Sequence, residues 1–304
     1  MHLEKHLSGW SLALALMAAG GCLVVYASDH GDVPAAGGIT RQDANISDLH
    51  AFLSPSGENL VLALSTNVAI PPAATSYIFP SDVTFEINID TDSPVTPNDP
   101  SCDGGTVLDP KSIREDITFR VRFSGDGQAR VHRIDRGRRH DDVPDLAGFF
   151  AGLRDDPLIR VPRDGRNVGA IVVEMPLASV VRSQSTLLIW ATTKVEEFEG
   201  PFQDLVGRSL RSMFPEQAAM DTMFPRQHMS KGGATRPDVM IFDTSMPAVF
   251  PNGRALTDDV VLEACLQGQE CRVFNSEARP PIPRENDADF LPTFPYLAPP
   301  HPAP

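Results

Sequence analysis

Residues 83–89 read VTFEINI, a stretch in which apolar and polar side chains alternate along the chain. Its apolar members are Val83, Phe85, Ile87 and Ile89. Successive side chains of a β-strand point to opposite faces, so this alternation predicts a strand with one face against a core.

Other stretches carry strand patterns of the same kind. Residues 117–123 (ITFRVRF) alternate again, and residues 60–66 (LVLALST) are aliphatic and β-branched. Residues 125–128 (GDGQ) predict a hairpin between 117–123 and 129–134, because Asp-Gly tolerates the positive φ of a tight turn.

Two later stretches, 170–175 and 187–192, are apolar almost throughout. Such runs are typical of central strands that are covered on both faces. Together these patterns predict a mainly β fold, an antiparallel β-sandwich with helical insertions.

The helical insertions are expected at about 144–153, 202–224 and 257–266. Apolar residues recur at near-helical spacing in 202–224. Thr257 precedes two aspartates and is read as an N-cap.

The C-terminal segment, residues 280–304, is rich in proline and carries large apolar residues. These are Phe290, Phe294, Tyr296 and Leu297. A disordered tail seldom carries so many apolar anchors, so an extended tail packed on the body is expected.

The amino terminus has the features of an export signal. Residues 11–27 are mostly apolar, Lys5 gives a basic flank, and small Ala27 fits a cleavage position. The alternative is a lipid anchor at Cys22, which follows small residues. The prediction is a signal peptide at 1–27, followed by a single extracytoplasmic domain at 28–304 that is periplasmic, secreted or at the cell surface and has no transmembrane segment.

The charge balance restricts the partners. With 26 basic and 40 acidic residues, the 304-residue chain has a formal net charge of -14. Such a charge argues against nucleic-acid binding and favours cations or basic partners.

The cysteines suggest one disulfide. In an oxidising compartment Cys265 and Cys271 could close a small loop, because Gly268 between them lets the chain reverse. Cys102 would then be left over.

Several motifs together resemble an exported bacterial family, domain-of-unknown-function family 4331. They are SDHGDVP at 28–34, DANISDLHAF at 43–52, RDDP at 154–157, WATT at 190–193, PNGRALTDDV at 251–260 and FPYL at 294–297 before Pro300 and His301. The chain departs from the family at His50, usually a tyrosine, and in an added acidic segment around 93–114. The resemblance implies no particular activity.

A second resemblance concerns architecture. Residues 60–66, 86–92 and 172–177 are similar in order and pattern to β-sandwich carbohydrate-binding modules of family nine. This similarity implies a ligand-binding sandwich and makes a glycan the expected ligand.

The acidic residues after the strand at 83–89 are a candidate calcium site. Asp90, Asp92, Asp99 and Asp103 could supply the oxygen ligands that Ca²⁺ prefers. Pro94 interrupts the spacing of an EF-hand, so that specific motif is excluded. A solvated acidic turn is the structural alternative.

A second set of possible metal ligands comprises His30, Asp32 and His301. Imidazole and carboxylate are common transition-metal ligands, and catalysis would require an open coordination position. The structural alternative is that His30 and Asp32 cap a turn while His301 is an exposed tail residue.

No nucleophile elbow, zinc-protease helix or phosphate loop occurs in the sequence. The preferred hypothesis is a non-catalytic exported protein, stabilised by Ca²⁺, that binds a glycan or envelope component through loops at one end of the sheets. The alternative is a metal-dependent hydrolase or oxidoreductase that uses His30, Asp32 and His301.

Overall fold

The computed structural model describes residues 41–97, 105–140, 146–157, 165–197, 199–208, 220–231, 236–260 and 285–302. These residues form mainly antiparallel sheets connected by turns and short 3₁₀ helices. The predicted mainly β, sandwich-like fold is confirmed.

The smaller sheet has four antiparallel strands. They are β1 (Ile46–Leu53), β2 (Asn59–Thr66), β9 (Gly148–Asp155) and β10 (Asn167–Pro176), in the order β1-β2-β10-β9. The apolar stretch 170–175 therefore lies in a central strand, as predicted.

The larger sheet has seven strands. They are β3 (Val83–Asp90), β6 (Ile117–Phe123), β7 (Ala129–Asp135), β8 (Arg138–His140), β11 (Thr186–Val195), β12 (Asp204–Val206) and β13 (Met240–Asp243). Their order is β12-β11-β3-β6-β7-β8, and β13 also pairs with β11. The predicted hairpin joins β6 to β7 through Gly127, whose φ is +82°.

Smaller elements complete the described chain. β4 (Val95–Pro97) pairs with β5 (Gly105–Val107). The 3₁₀ helices are Gln42–Ala44, Pro110–Ser112, Leu177–Ser179 and Pro225–Lys231.

The main core lies between the two sheets. Val83, Phe85, Ile87 and Ile89 are at most 1% exposed and belong to the same apolar cluster as inward residues of the smaller sheet. The alternation read from residues 83–89 therefore identifies the core face of β3 correctly.

The helix predicted at 144–153 is wrong, because the described part forms β9. Leu146, Phe149, Phe150 and Leu153 follow helical spacing by coincidence. Phe149 packs on the core between the sheets and Phe150 packs on the opposite face, the arrangement that a strand produces. Pairing with β10 along the strand overrides the local pattern.

The helix predicted at 202–224 is also wrong where it is described. Residues 204–206 form β12, so Leu205 and Val206 pack into different apolar clusters. Residues 209–219 lie outside the described residues.

The helix predicted at 257–266 is described only up to Val260, where helical backbone begins. Thr257 lies in a turn, and the Asp258 carboxylate accepts N–H hydrogen bonds from Ala255 and Phe250, at 2.7 and 2.9 Å. The aspartate therefore orders the preceding loop.

The C-terminal segment packs on the outer face of the smaller sheet, as predicted. Tyr296 and Leu297 are buried against Val61 and Val172, with Phe294 packed beside them. The body thereby gains a third layer on this side.

Several predictions fall outside the described residues: the signal peptide at 1–27, Cys22, His30, Asp32, Asp99, Cys102, Asp103, Cys265 and Cys271. Within the described part of the chain, no helix is long and apolar enough to cross a membrane.

Candidate ligand-binding groove

A groove lies on the outer face of the larger sheet, and the strand register builds it. Two rows of side chains cross β11, β3 and β6 on this face. The first row is Trp190, Asn88 and Thr118, and the second is Thr192, Glu86 and Arg120. The polar positions of VTFEINI that face away from the core thus form part of the groove.

Aromatic side chains form one side of the groove. Trp190 is 1% exposed and Phe202 is 5% exposed, and both belong to the apolar cluster on this face. Phe224 packs edge-on against Phe202, with 5.3 Å between the ring centroids. Arg226 covers the face of Phe224 at 4.1 Å, which fixes the aromatic side from outside.

Polar groups face the same space in fixed positions. The guanidinium of Arg120 donates through Nε to Oε1 of Glu86 at 2.5 Å. Thr118 donates through its hydroxyl to Oδ1 of Asn88 at 2.8 Å. Both pairs join neighbouring strands, so the sheet itself orients them.

Hydrogen-bonding capacity remains after these contacts. Within the described chain, the terminal nitrogens of Arg120, the amide nitrogen of Asn88 and the indole nitrogen of Trp190 donate to no other residue. Buried indole N–H groups normally have an acceptor. The groove therefore presents several donors around one space.

The space has a volume of about 280 Å³. Pockets for drug-sized ligands measure roughly 300–1,000 Å³, so this groove fits one small polar unit. An aromatic side with surrounding donors and carboxylates suits a ring that carries hydroxyl groups.

The predicted calcium residues Asp90 and Asp92 lie beside Asp116 at the end of β3. Asp90 is buried and accepts hydrogen bonds from the backbone of Ser93 at 2.8 Å and of Arg114 at 2.9 Å. Protein donors therefore already engage both oxygens of this carboxylate.

Two arginines balance part of the negative charge of the same cluster. Asp92 pairs with Arg114 and Arg136, both at 2.7 Å, and Arg136 also pairs with Asp116 at 2.9 Å. Burial raises the pKa of Asp116, but the hydrogen bonds from Thr91 and the charge of Arg136 lower it more, and its pKa lies below the ordinary value. Because Asp99 and Asp103 lie outside the described residues, the calcium site stays a prediction.

The predicted ligand His301 lies in a second cluster, with partners that the sequence did not suggest. Its Nε2 is 2.7 Å from Oδ1 of Asp155 and 3.2 Å from Oδ1 of Asp287. Burial raises the pKa of Asp155 to about 7, the Asn286 hydrogen bond opposes this shift, and the charge of Asp287 adds to it.

The residues that line the groove were not predicted as a binding site, for one reason. Glu86, Asn88 and Arg120 occupy the polar positions of correctly predicted strands, but recognition was predicted in loops at the sheet ends. The alternation itself identified them as outward-facing. The order of the strands across the sheet, which brings them together, is not visible in the sequence.

Comparisons of the chain with protein-family models, with curated proteins and with solved structures found no match. The resemblances to family 4331 and to carbohydrate-binding modules stay predictions.

Proposed function

We propose that this chain is an exported, non-catalytic protein that binds a glycan or another saccharide component of the cell envelope. The groove on the larger sheet is the binding site. The observation that carries the proposal is the pairing of buried aromatic residues with hydrogen-bond donors that have no partner within the described chain.

The chemistry of a sugar matches both sides of this groove. Its C–H face is apolar and packs on aromatic rings, while its hydroxyls both donate and accept hydrogen bonds. Arg120 and Asn88 supply donors, and Glu86 supplies acceptors. A saccharide could satisfy all of these groups together.

The arrangement of Glu86 favours binding over catalysis. One of its oxygens is held by Arg120 at 2.5 Å across the strand pair. This carboxylate therefore positions a guanidinium, and a charge-assisted hydrogen bond of this kind orients a ligand.

The first test is a binding measurement on the purified chain with neutral saccharides. A glycan array selects the saccharide, and calorimetric titration measures its Kd. Arg120→Met is expected to weaken binding by about tenfold or more, since a lost charge-assisted hydrogen bond is worth at least about 1.4 kcal/mol. Glu86→Gln should weaken binding less, because the amide keeps one acceptor.

Arg122→Met is the matched control, since Arg122 follows on the same strand and face but does not line the groove. Its Kd should stay within about twofold of wild type. Absence of saccharide binding, or equal affinity of Arg120→Met and wild type, contradicts the proposal. The Tm of the chain is also measured with Ca²⁺ and with chelator. An unchanged Tm would contradict the proposed stabilisation by calcium.

Export is tested by expressing the full chain in a bacterium and sequencing the amino terminus of the mature protein. The proposed cleavage leaves Ser28 first. A lipid-modified Cys22 would support the anchored form, and retention of Met1 in the cytoplasm would contradict export.

A further inference from the structure

Asp155, Asp287 and His301 meet where the C-terminal segment crosses the ends of β9 and β10, away from the groove. Asp155 ends β9, and its backbone N–H donates to the carbonyl of Ala298 at 3.3 Å. Asp155 thus meets Asp287 and His301, which both belong to the C-terminal segment and lie far from it in the sequence.

The backbone around the cluster is fixed by its own hydrogen bonds. The N–H of His301 donates to Oδ1 of Asn167 at 2.8 Å, and the Asn167 amide donates back to the His301 carbonyl at 3.3 Å. Asn167 is fully buried and pairs across the strands with Asp155. The positions of the imidazole and the carboxylate are therefore tied to one ladder of the sheet.

The other side chains of the cluster are also held by neighbours. Asp287 accepts a hydrogen bond from the backbone of Gly165 through its second oxygen. Asn286 donates to Oδ2 of Asp155 and to the carbonyl of Ala288. Outer contacts of this kind orient metal ligands and leave the other oxygen of each carboxylate facing the cluster.

One buried carboxylate oxygen of this cluster accepts no hydrogen bond from the described residues. Asp155 is 1% exposed, and its Oδ1 accepts no hydrogen bond of normal geometry, although Nε2 of His301 lies only 2.7 Å away. The ring nitrogen is instead aligned with Oδ1 of Asp287 at 3.2 Å. A buried carboxylate oxygen without a donor is costly, so a cation or a proton is needed at this point.

The ligand types and the charge of the cluster suit a metal ion. The three ligand atoms lie within 4.8 Å of one another. Ligands at about 2.0–2.2 Å from one tetrahedral ion lie roughly 3.3–3.6 Å apart, so His301 and Asp155, whose ligand atoms are 2.7 Å apart, would separate slightly on binding. Two carboxylates and a neutral imidazole balance the charge of a divalent ion. Without an ion, a protonated histidine balances only one of the two carboxylates.

We propose that Asp155, Asp287 and His301 bind a divalent transition-metal ion of the zinc type, and that this ion fastens the C-terminal segment to the smaller sheet. Mixed nitrogen and oxygen ligands favour such ions over Ca²⁺. The site is independent of the saccharide groove, so either proposal can fail alone.

The test uses the purified chain after treatment with chelator, with ZnCl₂ as the probe. Near-saturating zinc is expected to raise the Tm of wild type by about 5–10 °C. It should also slow hydrogen exchange in residues 285–302. His301→Ala and Asp155→Asn should each weaken zinc binding by about tenfold or more in calorimetric titration.

His140→Ala is the matched control, because His140 lies 3.5 Å from Asp135 but forms no cluster of three ligands within the described residues. It should retain the wild-type response to zinc. If zinc leaves the Tm of wild type unchanged, or if His301→Ala responds as wild type does, the metal proposal is wrong.

Discussion

Replacing Arg254 with methionine is expected to lower the free energy of unfolding by about 3–5 kcal/mol. Nη2 of Arg254 lies 2.7 Å from Oδ1 of Asp48, and both residues are 1% exposed. Removing the arginine leaves a buried carboxylate without its counter-charge, which is the costliest way to break an ion pair. Urea unfolding followed by circular dichroism measures the loss as a lower midpoint.

The Asp48–Arg254 pair lies where the chain around Arg254 joins the edge of β1. Arg254 also exchanges backbone hydrogen bonds with Ala51, at 3.0 and 3.1 Å, so it extends the edge of β1. The ion pair joins residues 206 positions apart in the sequence, and the bridge holds the same arginine to Ala51 of β1. We therefore expect Arg254→Met to loosen the edge of the smaller sheet in hydrogen exchange.

Two variants make this prediction specific. Arg41→Met removes two partly exposed ion pairs, to Asp43 and Asp82, both at 2.7 Å, and should cost less than about 1 kcal/mol for each pair. Asp48→Leu combined with Arg254→Met should be more stable than Arg254→Met alone, because the buried carboxylate is removed together with the arginine that paired with it. Equal costs for Arg254→Met and Arg41→Met would contradict the argument.

The Asp48–Arg254 pair also shows what the sequence could not predict. The strands with regular alternation, β3 and β6, and the apolar β10 and β11 were predicted within one to three residues at each end. β1 was not predicted, because an irregularity between Ile46 and Asp48 shifts its register and breaks the period of two.

For the candidate sites too, local patterns were predicted correctly and long-range contacts were not. Local patterns identify which residues of a strand face outward, and they placed Glu86 and Asn88 correctly. His301 was recognised as a possible metal ligand from its chemistry alone. Its partners Asp155 and Asp287 depend on how the C-terminal segment crosses β9, a long-range contact that one sequence does not reveal.

Acidification is expected to destabilise the protein through His50. This residue lies on β1 next to the buried ion pair, is 1% exposed, and its Nδ1 has no hydrogen-bond partner among the described residues. Burial, and then the positive charge of Arg254, lower the pKa of His50 well below 6.5. The folded protein therefore keeps this imidazole neutral where an unfolded chain would protonate it.

The direction of this change in stability follows from proton linkage. As the pH falls below about 6.5, the unfolded state binds a proton that the folded state does not, so stability decreases. The loss approaches about 1.4 kcal/mol per pH unit below pH 6.5 until the pKa of the folded state is reached. Urea unfolding at several pH values measures this slope.

The variant His50→Gln isolates the contribution of this one group. Carboxylates also titrate over this range, but they do so in both proteins, so the difference between the two stability curves reports His50. The curves should diverge by about 1.4 kcal/mol per unit below pH 6.5. Parallel curves would show that His50 gains a proton in the folded state and would contradict the assignment.

Arg254 links the two expected effects, because it lowers the pKa of His50 by its charge while burial lowers it more. Arg254→Met should therefore raise the pKa of His50 in the folded state. Stability should still decrease as the pH falls below 6.5, but the decrease should stop at a higher pH. Nuclear magnetic resonance of the His50 ring in both proteins measures this shift directly. An unchanged pKa would mean that burial alone keeps the imidazole neutral, and that the charge of Arg254 is fully balanced by Asp48.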